Sequence, residues 1–103
     1  MRKLTVLVIV AVLALSVSAL ALASGHRSGA QLWETVCIGC HDTGMMDAPL
    51  AGSAEFKNRL DKKGLDKLVE NAMNGLDEMP PKGSCNDCSE AEIRAAIKYM
   101  LKI

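Results

Sequence analysis

Cys37-Ile38-Gly39-Cys40-His41 decides how the rest of this chain is read. Two cysteines three positions apart lie one helical turn from each other, so on a helix both sulfurs emerge from one face. His41 follows at i+4 from Cys37 and carries an imidazole to the same side. The spacing matches the attachment site of a covalent c-type haem, in which the two thiols meet the vinyl groups and the histidine reaches the iron. Two other chemistries use such a pair. A redox dithiol stands beside a βαβ pattern, which this sequence lacks, and half of a zinc site leaves a histidine at this position without a task.

Upstream of the motif, Met1-Arg2-Lys3 is a short basic start, Leu4 to Leu15 is an apolar run, and Ala21-Leu22-Ala23 is a small-x-small cleavage signal. Residues 1–23 therefore read as a signal peptide cut before Ser24, leaving residues 24–103 as one domain. The alternative is an uncleaved anchor, since apolar and small residues continue from Leu4 to Ala23, long enough to span a bilayer. Cleavage removes two of the 12 basic residues and none of the 12 acidic ones, so the remaining 80 residues carry a net charge of −2. A mildly acidic domain without a basic stripe is a poor nucleic-acid binder. A domain this small buries only a modest core, and Trp33, Phe56 and Tyr99 are its three aromatics. A flat apolar cofactor held among a few helices makes up the deficit.

The periodicity is helical throughout, and no alternating strand pattern competes. Ser28 caps a first helix that runs to about Cys37 or Cys40, with Leu32 and Val36 on one face and Trp33 and Cys37 beside them. A loop from His41 to Gly52 follows, then a helix capped by Ser53 that ends near Lys62. Leu65, Leu68, Val69, Ala72 and Met73 mark a third helix stopped by Asn74-Gly75. Residues 76–87 contain two prolines and a glycine and form a loop. Ser89 and Glu92 make a capping box that opens the last helix, whose apolar face is Ile93, Ala96, Ile97, Met100 and Leu101. The fold class is all-α, about four helices around one haem.

An iron held by His41 needs a ligand on its other face, and the candidates are Met45, Met46, Met73, Met79, Met100 and His26. Met45 and Met46 follow His41 too closely to wrap around a macrocycle. Met73 and Met100 occupy apolar helical positions suited to core packing. His26 lies at the start of the domain, where chains fray. Met79 stands in Glu78-Met79-Pro80-Pro81-Lys82-Gly83, whose prolines stiffen the loop and hold one thioether in a fixed direction. Met79 is the expected second ligand.

Over nearly all of residues 24–103 the sequence resembles class I c-type cytochromes, and among them the cytochrome c5 type of bacterial periplasms. Gly29, Trp33, the Cys37 to His41 motif, Pro49, Gly52 and Asn74-Gly75 carry the resemblance, as do Met79-Pro80-Pro81-Lys82-Gly83, Cys85-Asn86-Asp87-Cys88-Ser89 and Ala96-Ile97-Lys98-Tyr99-Met100. It implies that Met79 is the distal ligand and that Gly29 and Tyr99 lie where the terminal helices cross. It also implies that the Pro49 carbonyl accepts from the ring N–H of His41 and so orients it. Family members usually have leucine two residues after that proline, whereas here Ala51 is there with Leu50 beside it. Haem attachment outside the cytoplasm, also implied by the family, agrees with the leader sequence.

Cys85 and Cys88 admit two readings. With Cys37 and Cys40 they form a CxxC…CxxC pattern that could bind a metal, but the 44 residues between the pairs exceed the spacing of common zinc ribbons. In an oxidising compartment they can close as a disulfide, which the resemblance also implies. The resulting function is a one-electron carrier, since His41 and Met79 together leave no open iron position. A peroxidase would need an open distal face, and a Cys-rich metal module would need no haem. Partners are then redox proteins, such as membrane-bound respiratory complexes or other cytochromes, and membrane contact through the chain itself requires an uncleaved leader. Lys57, Lys62, Lys63, Lys67 and Lys82 are candidates for a positive docking rim, and those from Lys57 to Lys67 equally suit two solvated helix faces.

Overall fold

A computed structural model describes residues 26–103; the expected signal segment and its cleavage before Ser24 lie outside the described residues. Residues 29–41 form one helical run made of α1 (Gly29–Leu32), a π-helical turn (Trp33–Cys37) and α2 (Ile38–His41). Three more helices follow, α3 (Ala54–Lys63), α4 (Leu65–Asn74) and α5 (Glu90–Leu101), with short 3₁₀ turns at Met45–Asp47 and Pro81–Ser84. No strand occurs among the described residues.

The expected caps are all present. Ser28, Ser53 and Ser89 each accept from the backbone N–H three residues on, and at Ser28 and Ser89 the side chains of Gln31 and Glu92 complete a capping box. The first helix departs from expectation, because a regular α-helix does not carry through to the cysteines. The Ile38 N–H donates to the Trp33 carbonyl five residues back, and the Thr35 hydroxyl donates to the Gln31 carbonyl at 2.7 Å, taking the acceptor an α-helix would use. Such back-bonding by a β-hydroxyl loosens a helix, and single π turns favour functional sites.

Apart from Phe56 the core is aliphatic: Leu32, Leu68, Val69, Ala72, Ile93, Ala96, Ile97 and Met100 are buried with it, and the Cys85–Cys88 pair lies among them. Trp33, Val36, Cys37, Met73 and Met79 are only half-covered at its edge. The terminal helices cross at Gly29, where a Cβ would fall 2.7 Å from the Ala95 carbonyl carbon and 3.0 Å from the Tyr99 Cβ. Gly29→Ala should therefore cost about 2 to 4 kcal/mol in urea unfolding, since helix backbone must move. Gly39→Ala, with open space around it, should be neutral or stabilise by about 0.5 to 1 kcal/mol.

An ion cluster fastens the same crossing. Arg27 Nε donates to the buried Glu92 carboxylate at 2.7 Å, the Arg27 backbone N–H donates to it at 3.1 Å, and the guanidinium also reaches Asp87. The Arg27 side chain, then the Ser89 backbone N–H, hold the Glu92 carboxyl well below the usual carboxylate range. A depressed folded-state pKa gives stability that is present above the unfolded value of about 4.3 and is lost as pH falls below it. Glu92→Gln should accordingly melt lower than wild type at pH 7, and the gap should narrow at pH 3.

Candidate haem-binding site

Cys37, Cys40 and His41 stand at the end of the N-terminal helical run, and both cysteines are free thiols, half-buried. Burial pushes the Cys37 thiol up to about 11, so at neutral pH it stays protonated. Redox dithiols work by the opposite shift, with a depressed thiol that attacks as thiolate.

His41 is buried, and its Nδ1 lies 2.8 Å from the Pro49 carbonyl oxygen. A carbonyl only accepts, so Nδ1 carries the proton and Nε2 keeps its lone pair for a metal. The ring lies nearly parallel to Phe56 of α3, with centroids 6.0 Å apart and planes at 16°. The loop that brings Pro49 here is tied down twice: the Ala51 N–H donates to the His41 carbonyl at 2.9 Å, and the Gly52 N–H to the Met100 carbonyl at 2.8 Å. Ala51 packs on the core while Leu50 turns outward, which is how this chain accommodates the small residue after Pro49.

Met79 sits in a turn closed by two bonds, Met79 N–H to the Leu76 carbonyl at 2.9 Å and Leu76 N–H to the Met79 carbonyl at 3.1 Å. Gly75 makes the turn possible. Its φ is +85°, and a Cβ there would come within 3.0 Å of both the Met79 carbonyl oxygen and the Pro81 nitrogen. The Pro81–Ser84 turn packs on α4 and on the Trp33–Cys37 segment. At Gly83 the Val36 methyl and the Met79 methyl converge, 3.4 and 3.9 Å from where a Cβ would stand. The loop carrying Met79 is thus seated against the segment that ends in the first cysteine. Among the other candidates Met100 is in the core, Met73 lies half-covered against it, and Met45, Met46 and His26 are exposed.

Two thiols one turn apart, an imidazole with its metal-side nitrogen free, and a thioether on a stiffened loop make a donor set that fits haem iron. The alternative four-cysteine metal site is not assembled. Cys85 and Cys88 are joined as a disulfide, Cα atoms 5.4 Å apart, and the one cluster of possible ligand atoms among the described residues is Cys85, Asp87 and Cys88, whose sulfurs the bridge already uses. Neither Cys37 nor Cys40 joins it. The Arg27–Glu92 link had no local signal, because its partners lie 65 residues apart.

A family model described as cytochrome C oxidase, cbb3-type, subunit III matches residues 24–100. The cytochrome c5 of Azotobacter vinelandii is 49% identical over 78 residues, covering 74% of this chain and 94% of that protein. The cytochrome c5 of Ectopseudomonas mendocina is 42% identical, covering 74% and 90%. The chain belongs to the class I c-type cytochromes. A chain from the crystal structure of an electron transfer complex of nitrite reductase with cytochrome c superposes with a TM-score of 0.66 at 32% identity, covering 72% of this cytochrome and 90% of that chain. The cytochrome carries one covalently bound haem c and is an electron carrier, not an enzyme.

Proposed function

We propose that the cytochrome is exported, loses residues 1–23, and shuttles single electrons in a periplasmic respiratory or related redox chain. The observation that carries this reading is the 2.8 Å contact between His41 Nδ1 and the Pro49 carbonyl, which leaves the Nε2 lone pair free on the histidine that directly follows the second free thiol. Cys37 and Cys40 would hold the haem as thioethers, and His41 and Met79 would supply nitrogen and sulfur ligands to its iron. When bound, the haem supplies a one-electron iron couple whose potential His/Met ligation raises.

The remaining work falls to the chain. Pro49 fixes the ring of His41 and strengthens it as a donor by drawing on the Nδ1 proton. Pro80 and Pro81 restrict the Met79 backbone, so the thioether is held in place through the oxidation change. The Cys85–Cys88 bridge joins the end of that loop to the cap of α5, and its short ring adds little stability through chain entropy. Donors and acceptors are membrane-bound respiratory complexes or other cytochromes; nitrite reductase is the partner in the complex of the similar chain.

One preparation from the exported fraction tests these assignments. The visible spectrum should be low-spin and c-type. The intact mass should equal the chain from Ser24 plus one haem, less two hydrogens for the bridge. A high-spin spectrum would point instead to a haem enzyme with an open face. A mass retaining residues 1–23 would mean an anchored protein, and alkylation of Cys85 and Cys88 without reductant would remove the bridge.

A further inference from the structure

We infer that the chain, once cut before Ser24, binds one Cu(II) ion at its new N-terminus through Ser24, Gly25 and His26. The inference rests on the cleavage proposed above, which leaves a chain beginning Ser24-Gly25-His26. A free α-amine with histidine at the third position offers four nitrogens in one short stretch: the amine, the backbone nitrogens of Gly25 and His26, and His26 Nδ1. Closed on one ion, they make two five-membered chelate rings and one six-membered ring in a single plane. Cu(II) prefers that square-planar nitrogen geometry, and Ni(II), lower in the affinity order, shares it.

The position of the cut is decisive. Ala19-Leu20-Ala21 also has the small-x-small pattern, but a cut after Ala21 would leave His26 at the fifth position, where the ring system cannot close. Neither Gly25 nor His26 is proline, so each backbone nitrogen has a proton to give up, and Gly25 has no side chain to crowd the plane. On binding, the α-amine releases its extra proton and the two amides one each, all to solvent. Four N–Cu bonds form, only N–H bonds break, and the copper remains Cu(II).

The fold leaves this stretch available. His26 is exposed and hydrogen-bonds to no other described residue. Among the described residues the first backbone N–H with a partner is that of Arg27, given to Glu92 at 3.1 Å, so the chelate stops one residue short of the anchor that ties the chain to α5. Rival donors are occupied. His41 is buried with Nδ1 on the Pro49 carbonyl, Cys85 and Cys88 are bridged, and Cys37 and Cys40 would be used by the haem. The exposed Met45 and Met46 are soft thioethers, which suit Cu(I) instead. His26 also borders an open hollow lined by Arg27, Gln31, Asp87 and Glu92, but there the Arg27 guanidinium already faces both carboxylates, which sets the hollow itself aside as a cation site.

The test uses the haem-loaded protein from the exported fraction, with copper(II) chloride added against nitrilotriacetate as competitor. Intact mass first fixes the start of each chain. With Ser24 first, the wild type should take one copper per chain, give a Cu(II) paramagnetic resonance signal split by four nitrogens, and keep its haem spectrum. His26→Ala removes the imidazole and Gly25→Pro removes one amide proton. Each should hold copper about a hundredfold or more less tightly, with the haem spectrum unchanged as the sign of an intact fold. Asp87→Asn should bind as the wild type does. If a chain starting at Ser24 fails to take copper from nitrilotriacetate, or if His26→Ala or Gly25→Pro holds it equally well, the site is overturned while the cleavage and carrier readings stand. A wild-type chain starting at any other residue would overturn the cleavage reading and the copper site with it.

Discussion

Cys37→Ser combined with Cys40→Ser should yield a chain with no covalent haem and no cooperative thermal transition. The reason lies in the inventory of the core. Phe56 is the one aromatic that is fully buried, and the rest is aliphatic side chains and a disulfide. Trp33, Val36, Cys37, Met73 and Met79 remain half-covered along its edge, so their burial is unfinished without a large apolar body against them. A domain of this size has little surplus to lose. Total stabilities run from about 5 to 15 kcal/mol, and removing a cofactor that completes the core takes on the order of 5 kcal/mol or more. Circular dichroism through a thermal ramp makes the measurement. Native helical content with a sharp melt in the haem-free variant would show that the helices hold themselves together.

The helices were legible from the sequence because each end is written locally. Ser28, Ser53 and Ser89 cap, Gly64 and Gly75 stop, and the apolar spacing between them names the buried face. The candidate attachment motif was equally plain, being five consecutive residues. The π turn before Cys37 was not, since it follows from whether the Thr35 hydroxyl or its own N–H claims the Gln31 carbonyl, and both choices share one sequence. The Arg27–Glu92 cluster escaped for a different reason: Glu92 was read as half of a capping box, which it is, and its second task depends on where the N-terminus lands.

Met79→Ala should turn the electron carrier into a protein with an open iron. With the thioether gone, the ferric iron becomes high-spin or takes water, cyanide and peroxide bind more readily, and the potential falls by on the order of a few hundred millivolts, within the span of about 0.8 V that axial ligands set. Structure and chemistry point the same way for the other methionines. Met100 is 5% exposed in the core and its carbonyl receives the Gly52 N–H, so Met100→Leu conserves volume and leaves that backbone bond in place. Met73 lies half-covered on α4, where leucine fills the same space at a cost under about 1.5 kcal/mol. Both leucine variants should keep the native spectrum. The ferric sulfur–iron charge-transfer band in the near infrared separates the cases, because it requires a bound thioether and not merely a folded protein. Should that band persist in Met79→Ala, or disappear in either leucine variant with the fold intact, a different methionine holds the iron, and the Leu76–Met79 turn has some other purpose.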